Sequence, residues 1–138
     1  ESRYGSDGIL LSPHVEIFRR SAKGNHALFG PPRKTAVITA PAVDLRGPAG
    51  NESPAFISTI RQRRMAHILA LSAFKGYRTL TLGAWGCGVF LNPPKEVASD
   101  FYEILVNQGY RRFFDCLTFA IYCPGDKRNL EAFRERFL

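Results

Sequence analysis

Three glycines fall within six residues in Gly83-Ala84-Trp85-Gly86-Cys87-Gly88, and Val89, Phe90, Leu91, Asn92, Pro93 and Pro94 follow. Glycine lets a backbone turn sharply and approach a ligand closely. Amide N–H groups gathered by such a turn ahead of a helix make a site for phosphate or pyrophosphate. Trp85, Val89 and Phe90 would supply apolar walls. The same pattern serves equally as a tight turn that lets a strand and a helix pack, and the residues alone leave both readings open. No G-x-x-x-x-G-K-[ST] occurs, and the spacing G-x-x-G-x-G is not the dinucleotide fingerprint.

Other chemistry is weaker. Cys87 stands where thiol nucleophiles can sit, but no spacing pairs it with His14, His26 or His67. A packed or merely accessible cysteine is the heavier reading. There is no C-x-x-C and no H-x-x-x-H, so no metal site is expected. Asp44 and Asp126 fall in loops, where turn and capping roles explain them as well as acid–base roles do. The pairs Arg19-Arg20, Arg63-Arg64 and Arg111-Arg112 read first as solvated faces. Aromatics are not interleaved with them in the manner of single-strand binders.

The elements that must position the loop follow from periodicity and turn chemistry. Residues 9–12 and 15–19 read as a strand, a bend at Pro13 and a second strand. Residues 21–33 carry Gly24, Gly30, Pro31 and Pro32 and read as loop. Residues 35–40 read as a short buried strand, with loop 41–46 leaving its C-terminal end. A helix starts at Ser53 as cap and Pro54 as first residue, carries Phe56, Ile60, Met65, Ile68, Leu69, Leu71 and Ala73 largely at helical spacing on its inward face, and ends at Gly76. Arg61, Arg63 and Arg64 are placed on its solvated side. Residues 79–82 form a strand. A helix runs from Pro94 to Gly109 with Val97, Phe101, Ile104 and Leu105 inward. Residues 113–122 contain a third strand, and a last helix carries Leu130, Phe133 and Phe137.

Strand, helix, strand, helix, strand, helix predicts an α/β fold with a mostly parallel sheet and helices on both faces. Ligands bind beyond the C-terminal ends of such strands. Loops 41–46, 83–92 and 123–126 should therefore share one rim.

The sequence has 138 residues, the length of one domain, and an ordinary 45% of hydrophobic residues. No run approaches the ~20 apolar residues of a membrane span, so no membrane partner is expected. Three widely spaced cysteines argue against a disulfide framework and for an intracellular, cytoplasmic setting, with the nucleus left open. A net charge of +7 favours an anionic partner, whether nucleotide, nucleic acid or phosphorylated polymer.

The string Gly83-Ala84-Trp85-Gly86-Cys87-Gly88-Val89-Phe90-Leu91-Asn92-Pro93 resembles the phosphate-loop signature of microbial-type poly(ADP-ribose) glycohydrolases, a branch of the macrodomain fold. Other segments agree in order. Ile9-Leu10-Leu11-Ser12-Pro13-His14-Val15-Glu16-Ile17-Phe18-Arg19 resembles that family's Ser-Pro-x-Val-x-x-Phe-Arg segment. Val37-Ile38-Thr39-Ala40-Pro41-Ala42-Val43-Asp44-Leu45 resembles its strand and Ala-Pro-Asn type loop, and Phe119-Ala120-Ile121 its last strand. The resemblance covers nearly all of the chain.

It implies a three-layer α/β/α macrodomain-like fold that binds ADP-ribose. Gly86, Cys87 and Gly88 would offer amides to the pyrophosphate, within a loop that also includes Gly83, Ala84, Trp85 and Asn92. Val89 and Phe90 would pack on the distal ribose, Phe119 and Ile121 would lie by the adenine, and Thr39, Ala40 and Pro41 would border the cleft. In the family, a Gly-Gly-Gly loop and a Gln-Glu-Glu motif ahead of the Ser-Pro-x-Val segment carry catalysis. Neither occurs in this sequence, so no residue is assigned a catalytic role. The reading is thus one macrodomain-like domain over 1–138, matching the C-terminal two thirds of the family and lacking its first strands. Its partner would be ADP-ribose or poly(ADP-ribose), with no cofactor. Self-association or an N-terminal complementing segment would cover the missing part. A non-catalytic ADP-ribose reader or degenerate fragment, and a basic nucleic-acid-binding α/β domain, are the alternatives.

Overall fold

The computed structural model describes residues 4–138. They divide into two units, Gly8–Ala40 on its own and residues 4–7 with Pro41–Leu138.

The first unit is an antiparallel hairpin of β1, Leu10–Arg19, and β2, Leu28–Thr39. It departs from the sequence expectation in three places, each for a physical reason. β1 runs through Pro13 without a break, because the register slips between Ser12 and Val15. The proline therefore sits where no ladder N–H is needed. β2 begins at Leu28, inside the expected loop. Gly30, Pro31 and Pro32 lie in a second slip, between the pairs Arg19 with Leu28 and Ile17 with Arg33. Residues 35–39 pair antiparallel with β1 and not in a parallel sheet. A connection as short as 20–27 can join only antiparallel neighbours. Aromatics do interleave with the basic residues here. Arg19 lies over Phe18 at 5.7 Å, and Arg20 and Arg33 lie over Phe29 at 5.1 and 4.8 Å.

In the second unit a 3-10 turn over Pro48–Asn51 leads into the first α-helix, α1, Pro54–Phe74. Ser53 caps it as expected, its hydroxyl accepting from the Phe56 N–H at 3.2 Å. Gly76, at φ +75°, takes the left-handed turn beyond its end. β3, Thr79–Leu82, follows, then α2, Pro94–Tyr102, which widens into a π-helical turn over Glu103–Asn107. β4 is Cys116–Phe119, inside the stretch 113–122 expected to contain a strand, and α3 is Arg128–Phe137.

β3 and β4 pair in parallel, from Thr79 with Cys116 to Leu82 with Phe119. The α/β class holds. Among the described residues the parallel sheet has two strands, because the stretch expected to supply a third belongs to the hairpin. Leu80, Leu82, Leu117 and Phe119 point into a core of Met65, Leu69, Val97, Phe101, Ile104, Leu105 and Phe133. The alternate residues Thr79, Thr81, Cys116 and Thr118 are exposed. Helices thus cover one face of this pair, where cover on both was expected. Val43, Ala49, Ile57 and Ile60 form a smaller core beside α1.

Two side chains of α1 overturn the expected polar face. Arg61 and Arg64 are 1% and 2% exposed, while Arg63 is exposed. Arg64 donates to Asp7 Oδ1 at 2.8 Å, to the Tyr4 carbonyl at 2.8 Å and to the Pro41 carbonyl at 3.2 Å. A guanidinium can be buried when its donors are met in this way. Phe56, expected inward, is exposed at the first turn and meets the Tyr4 ring edge-on at 5.2 Å.

Candidate functional site

Loop 83–92 leaves the C-terminal end of β3 and enters α2. Its inner hydrogen bonds tighten it: Trp85 N–H to the Gly83 carbonyl at 2.8 Å, Cys87 N–H to Ala84 at 3.1 Å, Leu91 N–H to Gly88 at 3.1 Å and Asn92 N–H to Gly86 at 3.0 Å. The Cys87 amide is therefore engaged within the loop. Among the described residues none accepts from the N–H groups of Gly86, Gly88, Val89 or Phe90. Pro93 and Pro94 have no N–H, so the N-cap and the first helical position of α2 add no donor to those of the loop.

The glycines differ in role. Gly86 has φ +77°, and a Cβ there would stand 2.7 Å from Asn92 Nδ2 and 2.9 Å from the Ala42 methyl. Its lack of a side chain is structural. A Cβ on Gly88 would meet nothing within 4 Å. Packing does not require glycine at 88, and the space above it is open.

Loop 41–46 lies against this loop, as expected of two loops on one rim. Asn92 is 1% exposed, and its side-chain amide donates to the Val43 carbonyl at 2.7 Å and the Gly86 carbonyl at 3.1 Å. The Leu45 N–H donates to the Phe90 carbonyl at 3.1 Å. Arg46 lies over the Phe90 ring at 5.3 Å and pairs with Asp44 at 2.6 Å. The Arg46 guanidinium holds the Asp44 carboxyl down at about 2. The segment after β4 starts on the same rim, where the Ala120 N–H donates to the Leu82 carbonyl at 2.8 Å.

The expected site residues are placed as follows. Gly83, Ala84, Trp85, Gly86, Cys87, Gly88, Val89, Phe90 and Asn92 form the loop, and Ala84, Trp85 and Cys87 also back onto the main core. Pro41 begins the neighbouring loop. Thr39 ends β2 and Ala40 follows it, both in the hairpin unit. Phe119 and Ile121 line an apolar cavity of about 440 Å³ with Tyr102, Leu117, Phe133 and Phe137. No residue of loop 83–92 lines that cavity.

The Cys87 thiol is half buried and is pushed up to about 11 by that burial, with the Arg61 charge pulling the other way. It is a neutral thiol at physiological pH, unlike an activated nucleophile.

Arg61, Glu96 and Asp100 are functional candidates that the sequence reading passed over. Arg61 Nε donates to Asp100 Oδ2 at 2.6 Å, Nη2 to Glu96 Oε2 at 3.0 Å and Nη1 to Asn92 Oδ1 at 3.4 Å. Ser58 and Gln62 complete Asp100 at 2.5 and 3.0 Å. The signal was present: Arg61 falls four residues from both Ile57 and Met65, on the buried stripe.

No protein-family model matches the chain, and no curated protein does. Solved structures do. The chain aligns with poly(ADP-ribose) glycohydrolase from Thermomonospora curvata at TM-score 0.85 and 37% identity, over 96% of this chain and 48% of that one. The same enzyme bound to the inhibitor ADP-HPD gives TM-score 0.87 and 35% identity, over 96% and 49%. The Deinococcus radiodurans enzyme in complex with ADP-ribose gives 0.82 and 34%, over 98% and 54%. The chain has the fold of the microbial poly(ADP-ribose) glycohydrolases. It spans about half the length of these glycohydrolases, where two thirds was expected. Among the described residues no helix is long and apolar enough to cross a membrane.

Proposed function

We propose that the chain binds ADP-ribose on loop 83–92, the pyrophosphate lying against backbone N–H groups. One observation carries this reading: the N–H groups of Gly86, Gly88, Val89 and Phe90 have no acceptor among the described residues, beside open space at Gly88. Such donors favour a phosphate oxygen, and held by a braced loop they need little reorganisation to meet it. Val89, 70% exposed, and the partly exposed Phe90 ring offer the distal ribose an apolar contact. The proposal also sets Phe119 and Ile121 beside the adenine.

On this reading the chain alone is a binder. Hydrolysis of a ribose–ribose O-glycosidic bond needs a carboxyl group that is protonated at working pH to protonate the leaving oxygen. The four aspartates whose titration is displaced, Asp7, Asp44, Asp115 and Asp126, all move the wrong way, each held ionised first by hydrogen bonding to an arginine. The exposed apolar residues Leu10, Ile17, Phe18, Leu28 and Val37 of the hairpin favour self-association or cover by a complementing segment. A monomer in sedimentation at high concentration would argue against the self-association. A reducing intracellular compartment suits the three free cysteines.

Calorimetric titration with ADP-ribose tests the reading, with saturable one-site binding expected. A second reading, nucleic-acid binding, draws on the hairpin, where Arg20 and Arg33 stack on Phe29. A gel shift that persists after substitution of Gly88 would favour it.

A further inference from the structure

We propose that Arg61 is a positioning residue for the ADP-ribose loop, acting through the orientation of the Asn92 side-chain amide. This rests on the proposal that loop 83–92 binds ADP-ribose.

The argument starts from what Asn92 does. Its Nδ2 group bridges the carbonyls of Val43 and Gly86, one in each rim loop. It is a buried side chain that joins the two loops by hydrogen bonds. An amide side chain has two nearly isosteric orientations. In the flipped one, Oδ1 would face two carbonyl oxygens and the bridge would become a repulsion. A donor facing Oδ1 adds to that preference and holds the amide in the bridging orientation.

Arg61 is that donor. Its Nη1 faces Asn92 Oδ1 at 3.4 Å, and a guanidinium cannot accept a hydrogen bond from a flipped Nδ2. The guanidinium has little freedom to turn away. Nε is fixed on Asp100 and Nη2 on Glu96, so the plane of the fork is set from two further directions. Asp100 is anchored in turn by Ser58 and Gln62 of α1. The chain of contacts therefore runs from α1 and α2 through one guanidinium and one amide to the Gly86 carbonyl. Gly86, with its left-handed backbone, is the first of the four loop residues whose N–H groups have no acceptor among the described residues.

The fork matters as much as the charge. Arg61 donates in three directions within one plane, and a lysine at 61 would present a single ammonium that can sit on Asp100 or reach toward Asn92 but not serve all three acceptors. Arg61→Lys keeps a cation opposite the two carboxylates while removing the hold on Asn92.

The test compares wild type, Arg61→Lys, Asn92→Asp and the double variant. NMR follows water exchange of the Asn92 side-chain amide protons and the Gly86 and Gly88 amide shifts without ligand, and calorimetry gives the ADP-ribose Kd. In wild type the Asn92 protons should be protected. In Arg61→Lys they should exchange roughly tenfold faster, the Gly86 and Gly88 signals should move, and binding should weaken roughly tenfold, the effect of losing one charge-assisted hydrogen bond. Asn92→Asp leaves Arg61 an acceptor but sets an oxygen against both carbonyls, so it should lose at least as much. The double variant should bind no more weakly than Asn92→Asp alone. Unprotected Asn92 protons in wild type, unchanged exchange in Arg61→Lys, or losses that multiply in the double variant would overturn the proposal. If Arg61→Lys fails to fold, Asn92→Asp carries the test, and wild-type affinity in that variant overturns it. A wild type that binds no ADP-ribose refutes the functional reading instead, and the exchange measurements still decide the role of Arg61.

Discussion

Gly86 and Gly88 stand two residues apart and answer to different forces. At Gly86 a methyl group would collide with the Asn92 amide and the Ala42 methyl on a backbone already at φ +77°. Gly86→Ala should lower folding stability by about 1–3 kcal/mol, read as a shift in urea midpoint with an unchanged slope. Asp44 makes a separate prediction. The Arg46 guanidinium lowers its titration from the ordinary 3.8 to about 2. A depressed carboxylate contributes stability that is present above the ordinary value and lost as pH falls through the folded value, here between about 4 and about 2. The side chain is exposed, so salt should weaken the effect. A carboxyl-carbon NMR titration should find Asp44 near 2 and should find it returning toward 3.8 in Arg46→Ala; a midpoint near 4 in wild type would contradict the pairing. Residue chemistry was partly legible beforehand. The glycine run showed itself by composition. The use of the Cys87 N–H inside the loop did not, because which N–H a turn consumes depends on its dihedrals.

Caps and breakers made the helices legible. Ser53, Pro54 and Gly76 mark α1 on the chain and in space, and Ser53→Ala should cost about 1 kcal/mol by removing the bond to the Phe56 N–H. A thermal melt unchanged by that substitution would show the cap to be idle. The face of α1 was misjudged at Arg61 and Arg64. Residue type argues for exposure there and period for burial, and the acceptors Asp100, Glu96, Asn92, Asp7 and the Tyr4 and Pro41 carbonyls are what allow two arginines to be buried. The strand over 35–39 was visible as a β-branched run, but its direction was not. A strand carries no mark of its partner, and the prolines at 31 and 32 hid how close the partner was. Register slips absorbed prolines that alone read as breaks.

The whole molecule shares its fold with proteins of about twice its length. Its parallel pair leaves Thr79, Thr81, Cys116 and Thr118 exposed on one face. The α/β class could be read from alternating elements and the family from the 83–93 string. The expected cover on both faces could not be checked from pattern, since it depends on which strands actually pair. Purified chain should release little or no ADP-ribose from poly(ADP-ribose), because general acid catalysis contributes about 10²–10⁴-fold and the displaced aspartates are held ionised. Turnover comparable to the Thermomonospora curvata enzyme would contradict this and make some carboxylate of this chain the acid. The most direct test of the central claim is calorimetry with ADP-ribose on wild type, Cys87→Ser and Gly88→Val. The Gly88 side chain would enter space empty of protein, so that variant should melt with wild type. The account predicts that wild type and Cys87→Ser bind within a few-fold of each other while a folded Gly88→Val does not bind. Undiminished binding by Gly88→Val, or loss of binding in a folded Cys87→Ser, would contradict it.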